Sequence, residues 1–364
     1  MHSQTLRVKE ISYPITDIEK GNFSDSLSPN ENNALKFCHE WLNGKEDFIL
    51  QTSGSTGTPK KISVTRNQLK ASAALSTSYL GLKKESTALV CLDTKYVAGI
   101  MMLVRSLEVG MNMYVVEPSA NPFDTLPEDV CIDFIALVPY QVQAILTSKH
   151  KQKLSRTKVV LIGGADLSNS LRENLKSMQG SFYATYGMTE TLSHIALQKL
   201  NGSDTTNHFN LLPGIYIQAD NRGCLVIHAP HLNAEPIVTN DLVEIIDANR
   251  FLILGRIDSI INSGGVKIIP EKIERILETI LSDLRINNRF FIAGLLDASL
   301  GEAVTLIIEG EPIASELEIE IIQHLKSRLD RFEVPKTIRY VAQFLQTETG
   351  KVNKLKTLDL IQRF

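Results

Sequence analysis

The chain has 364 residues, of which 43% are hydrophobic and 22% charged, and its formal net charge is -3. This composition supports two or more domains with a sizeable core, and it excludes disorder and any general electrostatic attraction to nucleic acid or an anionic membrane. Cys38, Cys91, Cys131 and Cys224 are scattered without a C-x-x-C pair, the opening residues lack a secretory apolar core, and no apolar run approaches a membrane span, so reduced thiols and a cytoplasmic location are expected.

In chain order, the first distinctive segment is Thr52-Ser53-Gly54-Ser55-Thr56-Gly57-Thr58-Pro59-Lys60-Lys61. Glycines let backbone amides approach an anion, hydroxyls donate further hydrogen bonds, and lysine supplies a point charge, so the run is suited to hold phosphate. It is not a Walker A loop, which requires G-x-x-x-x-G-K-[ST]. Pro59 stands where the second glycine belongs, and Lys61 where Ser or Thr does. A polar surface loop is the simpler alternative from the residues alone.

Short β-branched runs then alternate with helical patterns. Strands are expected at 87–92, 113–116, 134–138 and 159–162, and helices at 67–80, 99–109, 140–146 and 167–178. That alternation predicts α/β layers, with Gly163-Gly164 and Tyr186-Gly187 at strand C-terminal ends, where open α/β sheets bind ligands. From about 215 to 254, strands separated by turns such as Asp220-Asn221-Arg222-Gly223 predict a mainly β part. A second unit follows. Pro270 opens a helix whose Ile273, Ile276, Leu277, Ile280 and Leu281 form one apolar face, and Leu317, Ile321, Leu325 and Leu329 repeat along another helix after Ser315. Strands at 289–294 and 303–309 complete a small α+β unit. The fold class expected is α/β: a large multi-layer N-terminal domain with a β-rich subdomain (1–254), a hinge (255–258) and a small mobile α+β C-terminal domain (259–364).

Four further segments follow the opening loop in fixed order: Tyr186-Gly187-Met188-Thr189-Glu190-Thr191, Thr239-Asn240-Asp241, Gly255-Arg256-Ile257-Asp258 running on to Glu274, and Thr349-Gly350-Lys351-Val352. Together the five resemble the adenylate-forming acyl-CoA synthetase superfamily. The resemblance implies two half-reactions: a carboxylate attacks the α-phosphorus of ATP to give an acyl-adenylate and pyrophosphate, and the thiol of coenzyme A then displaces AMP. It implies ATP, Mg²⁺ and coenzyme A together with a small-molecule carboxylic acid, no nucleic acid and no membrane; a homo-oligomer is left open.

Position by position, the resemblance implies that Thr52, Ser53, Ser55, Thr56 and Lys60 hold the β- and γ-phosphates, and that Glu190 holds Mg²⁺, against the plain reading of a solvated or capping glutamate. Thr189 is implied to bond the adenylate phosphate, Tyr186 to stack on adenine beside Gly187, and Gly163, Gly164 and Ala165 to line the base. Asp241 is implied to take both ribose hydroxyls, with Asn240 where the family usually has Gly, and Arg256 to bond the ribose and phosphate side. Asp258 falls at the hinge and Gly264 and Gly265 at the coenzyme A tunnel. Lys351 is implied as the catalytic lysine between attacking carboxylate and α-phosphate, although the usual Pro-[KR] pair upstream is replaced by Gln346-Thr347 and its neighbours.

The phosphate loop begins only about fifty residues into the chain, and compact chains of this kind resemble the 2-succinylbenzoate-CoA ligases of menaquinone synthesis. Leu137-Val138-Pro139-Tyr140-Gln141-Val142 is similar to a run in those ligases, and Arg105 falls where they place an arginine for a substrate carboxylate. Ala98 stands for their usual serine and Lys95-Tyr96 for Phe-His. Arg105 interrupts an apolar helical pattern; the residues alone also allow a pair with Glu108 or a guanidinium reaching to water. His194 is a candidate for the acyl pocket or for plain packing, and His228 and His231 are not read as metal ligands. Another aryl or medium-chain acid, a carrier-protein thiol as acceptor, and a silent nucleotide-binding module are the alternatives to be separated.

Overall fold

A computed structural model of the chain describes residues 4–24, 26–51, 61–346 and 352–362. Its larger sheet has thirteen strands. Six are mutually parallel, in the order Ser181–Gly187, Val159–Ile162, Phe134–Leu137, Thr87–Val90, Asn112–Val115 and Thr5–Val8. The central strands Phe134–Leu137 and Val159–Ile162 are short and wholly apolar, as expected for strands covered on both faces. Two apolar clusters pack against them, one containing Trp41, Leu103 and Phe134, the other Phe123, Val160 and Phe182. Beyond Ser181–Gly187 the pairing becomes antiparallel through His194–Lys199, Phe209–Leu211, Arg250–Arg256, Ile237–Asp247, Cys224–His228 and Tyr216–Ala219. The β-rich part expected at 215–254 lies within this antiparallel stretch, which begins earlier, at His194, and is continuous with the parallel core.

The helices start and stop where local chemistry dictates. Thr65 caps Arg66–Leu80 reciprocally with Gln68, and Gly81 ends it at φ 63°. Val97–Val109 ends on Gly110 at φ 80°, the left-handed conformation that lacks a steric penalty only for glycine. Ser28 and Glu31 form a capping box ahead of Pro29–Leu42, each such cap being worth about 1 kcal/mol.

A second sheet joins Val266–Ile268, Ile261–Ser263, Gly301–Glu309 and Phe290–Asp297, with Thr337–Val341 parallel to Gly301–Glu309. The helix Pro270–Asp283 buries Ile273, Leu277, Ile280 and Leu281 against it. Ser315–Lys326 buries Ile321 and Leu325 but ends before Leu329, so the four-residue repeat overran the helix by one turn. Between the sheets, Arg275 donates to the carbonyls of Ile253 and Leu254 at 3.1 and 2.5 Å, and the Asn169 amide donates to Glu278 at 2.8 Å. No helix among the described residues is long and apolar enough to cross a membrane.

Candidate active site

The strands Asp47–Gln51 and Lys61–Thr65 pair antiparallel, bringing Gln51 opposite Lys61. Thr52, Ser53, Ser55, Thr56 and Lys60 lie between them, outside the described residues. Gln51 also bridges to Tyr96, at the start of Val97–Val109. A cleft of ≈ 260 Å³ lined in part by Gln51, Lys61, Thr94, Lys95 and Ile100 opens beside these flanks. Lys351 is likewise outside the described residues. Its flanks Gln346 and Val352 form an antiparallel bridge, and Lys354 beyond them pairs with Glu274 at 2.7 Å.

Four predicted residues meet in one network across the antiparallel strands. Tyr186 donates its hydroxyl to Asp241 at 2.6 Å, and Arg256, the register partner of Asp241, donates to its other oxygen at 3.0 Å. Arg256 also holds Asp258 through two bonds of 2.9 and 2.7 Å. The hydrogen bond and charge of Arg256 keep Asp258 below the usual carboxylate range, and burial next to the Asp241 carboxylate raises the Tyr186 phenol. The ring of Tyr186 is 8% exposed and packs on Phe209 and Phe251, with centroids 5.9 and 5.3 Å away. Tyr186→Phe is expected to lower stability by about 1.5–3 kcal/mol, the range for a hydrogen bond to a charged group. Urea unfolding checks this; an unchanged midpoint would show that the bond contributes nothing.

Gly163, Gly164 and Ala165 follow directly after the strand Val159–Ile162. A Cβ at Gly163 would overlap the Thr185 hydroxyl, which would have to turn aside, and Gly164 has φ +87°, a conformation that needs glycine. Gly187 is tied as closely, with the Ser193 carbonyl occupying the space of its missing side chain. The segment between is a short 3-10 turn, Thr189–Thr191. Thr191 closes it, accepting from the Met188 amide at 2.9 Å and donating to the Ser193 carbonyl at 2.6 Å. Leu192 completes the turn at φ 59°, a rare conformation for a non-glycine residue. The turn leaves Glu190 exposed, and its described contact is a backbone carbonyl accepting from Asn233 at 2.8 Å. Its carboxylate thus has no hydrogen-bond or ion-pair partner among the described residues. No group of three or more possible metal ligands occurs among those residues. A lone carboxylate suits Mg²⁺, which keeps its waters and shares substrate phosphates, better than an all-protein cage would.

Arg105 does not pair with Glu108 or reach water. It is 2% exposed, and its described partners are two hydroxyls: Nε donates to Ser76 Oγ at 2.7 Å and Nη2 to Ser193 Oγ at 2.5 Å. Glu108 instead accepts from the Trp41 indole at 3.2 Å and pairs with Lys70 at 3.4 Å. Burial without a carboxylate partner brings the Arg105 pKa down to about 9. Ala98 lies seven positions earlier on the same helix and is exposed; that spacing puts both on one face. His194 is 8% exposed and touches Ser193 through Nδ1 at 3.3 Å. Burial and the Arg105 charge hold its pKa well below the usual histidine range. Thr191 ends its motif in the sequence without a role assigned to it, whereas Ser76 and Ser193 escaped the sequence reading; only adjacency to His194 could have flagged Ser193.

Gly264 and Gly265 form the two-residue turn between Ile261–Ser263 and Val266–Ile268, at φ +59° and +83°. This is the twist-matched hairpin turn that favours glycine at both positions. Space beside Gly265 is open, with no heavy atom within 4 Å of a built Cβ.

A family model described as AMP-binding enzyme matches residues 7–216. A curated 2-succinylbenzoate-CoA ligase of Listeria monocytogenes is 25% identical over 356 residues, covering 91% of this chain and 74% of that protein. The solved structure of an acyl-CoA synthetase (AMP-forming)/AMP-acid ligase II-like protein from Dyadobacter fermentans is 40% identical, with TM-score 0.63, and covers 94% of this chain and 97% of that one. The O-succinylbenzoate coenzyme A synthetase of Bacillus subtilis, solved with ATP and magnesium, shares the fold at TM-score 0.70 and 19% identity, over 85% of this chain and 69% of that one. With more than half of its length matched by the family model, and with a 40% identical relative along nearly its whole length, the chain belongs to the AMP-binding enzyme family.

Proposed function

We propose that this protein is an AMP-forming acid-CoA ligase whose acid is an aryl dicarboxylate of the 2-succinylbenzoate type. The observation that carries the substrate is Arg105, a buried guanidinium whose described partners are neutral hydroxyls. An acid with two carboxylates must neutralise the one it does not activate, and a planar guanidinium does so bidentately inside an apolar wall. Names of the curated relatives agree with this choice.

In the first half-reaction the free carboxylate attacks the α-phosphorus of ATP and pyrophosphate leaves. In the second, the coenzyme A thiol attacks the acyl carbon and AMP leaves. Anion attacking anion requires positive charge and fixed geometry. Lys351 would supply the charge between carboxylate and α-phosphate, Thr189 a hydrogen bond to the adenylate phosphate, and Thr52, Ser53, Ser55, Thr56 and Lys60 the grip on the outer phosphates. Asp241 and Arg256 would bind the ribose side, next to Tyr186 and the Gly163–Ala165 turn. Mg²⁺ held by Glu190 would neutralise phosphate charge. On this reading residues 255–258 are the hinge between a large domain (1–254) and a lid (259–364), and Gly264 and Gly265 leave room for pantetheine.

The test is a panel of acids with coenzyme A omitted and restored. Pyrophosphate release with 2-succinylbenzoate, and its thioester only when coenzyme A is present, is the expected result. Silence with 2-succinylbenzoate alongside turnover of a monocarboxylic aryl or medium-chain acid would sink the dicarboxylate assignment. A thioester formed only on a carrier protein would replace coenzyme A as acceptor.

A further inference from the structure

The hydrogen bonds around Ser193 fix more than the position of Arg105. A guanidinium can only donate, so Ser193 Oγ accepts from Arg105 Nη2 and its own proton is free to go elsewhere. The other described partner of that oxygen is His194 Nδ1, 3.3 Å away. Nδ1 is the described partner for the serine proton, and the Arg105 cation on that side of the ring opposes a hydrogen there, so Nδ1 accepts and Ser193 donates. The imidazole is neutral, since burial and the neighbouring cation both oppose a second proton, and a neutral ring with Nδ1 unprotonated carries its hydrogen on Nε2. This Nε2 is buried and has no hydrogen-bond partner among the described residues. His231 also has an unpartnered Nε2, but that residue is only partly buried. A buried donor left without an acceptor is costly, and the native arrangement is expected to satisfy it when the site is full.

We infer that His194 Nε2–H is a specificity-determining donor for an oxygen acceptor on the acyl group, next to the carboxylate that Arg105 holds. The acid class it selects is an oxo-dicarboxylic acid: one carboxylate to be activated, one for Arg105, and a carbonyl oxygen for His194. This rests on the dicarboxylate reading given above and adds the third recognised group. The backbone supports the placement. His194 opens the strand His194–Lys199 opposite Gly187, so the turn carrying Thr189 and Glu190 delivers it directly into register.

The experiment compares 2-succinylbenzoate with its methylene analogue, 2-(3-carboxypropyl)benzoate, by pyrophosphate release in the wild type, His194→Leu and His194→Gln. A site built to donate to a substrate oxygen rejects the analogue lacking it, and a preference of about tenfold or more in kcat/KM for the oxo acid is expected in the wild type. His194→Leu is expected to bring that ratio close to one, whereas His194→Gln, which keeps an N–H donor, restores part of it. Thermal melting verifies that each variant is folded. An unchanged ratio in a folded His194→Leu, or equal turnover of both acids by the wild type, overturns the role of His194 while leaving the ligase reading intact. If the wild type turns over neither acid but activates a monocarboxylic one, the dicarboxylate reading fails and this inference fails with it.

Discussion

Arg105→Met is expected to cut kcat/KM for a dicarboxylic acid by at least about 100-fold, the scale of losing a bidentate charge-assisted pair in a dry pocket, and to leave the protein as stable as before or more so. The two halves of this expectation separate function from architecture. If the guanidinium served only packing, its removal would destabilise the fold and lower turnover of every acid alike. The local chemistry argues otherwise. Ser76 Oγ still donates to the Ala73 carbonyl at 3.0 Å, and Ser193 still reaches His194, so neither hydroxyl is stranded when the guanidinium goes. Methionine fills a similar volume among Met101, Met102 and Val104, which are fully buried, and removes the desolvation cost of an unpaired buried cation. Melting temperatures and kinetics with a dicarboxylic and a monocarboxylic acid check both halves. A drop in melting temperature with equal losses for the two acids would refute the carboxylate role.

Lys351→Ala is expected to lower adenylate formation by about 10²–10³-fold while ATP still binds, because a preorganised charge acts mainly where charge crowds in the transition state. Pyrophosphate release reports the first half-reaction. Supplying a synthetic acyl-adenylate with coenzyme A bypasses it, and thioester formation from that intermediate is expected to survive. Loss of both half-reactions to the same degree would mean that Lys351 supports the fold or binds AMP in every state. Lys354 offers no substitute for it, being paired with Glu274 at 2.7 Å.

The parallel core was legible in the sequence because its strands are short apolar runs separated by amphipathic helices, as at Val159–Ile162 followed by Asn169–Lys176. What escaped was pairing over long distances. Thr5–Val8 has only four residues and turns through Lys9-Glu10, without glycine or asparagine to signal it, into Ile11–Pro14, yet it also lies parallel to Asn112–Val115. Sequence spacing cannot announce a neighbour a hundred positions away. At the site, the motif residues Tyr186, Asp241, Arg256 and Asp258 were found from their order, and the network joining them followed only from the strand register that sets Asp241 opposite Arg256. Arg105 shows the opposite failure. A local i, i+3 pair with Glu108 is what spacing suggests, but burial turns the guanidinium inward to serines on two other segments. Those serines resemble ordinary surface positions in the sequence.

The reach of Arg105 also bears on how the chain folds. Its partners lie 29 residues before it and 88 after it, so the guanidinium cannot be enclosed at low cost until the chain has been made through Ser193. Contacts of such long range close slowly, because loop entropy is lost before they return any stabilisation. During synthesis the helix Val97–Val109 must therefore wait, amphiphilic and with its cation still hydrated, for a strand that emerges nearly ninety residues later. All six parallel strands have been made by Gly187, so a chain stalled just short of Ser193 would hold every strand of the parallel core with Arg105 still lacking its second hydroxyl.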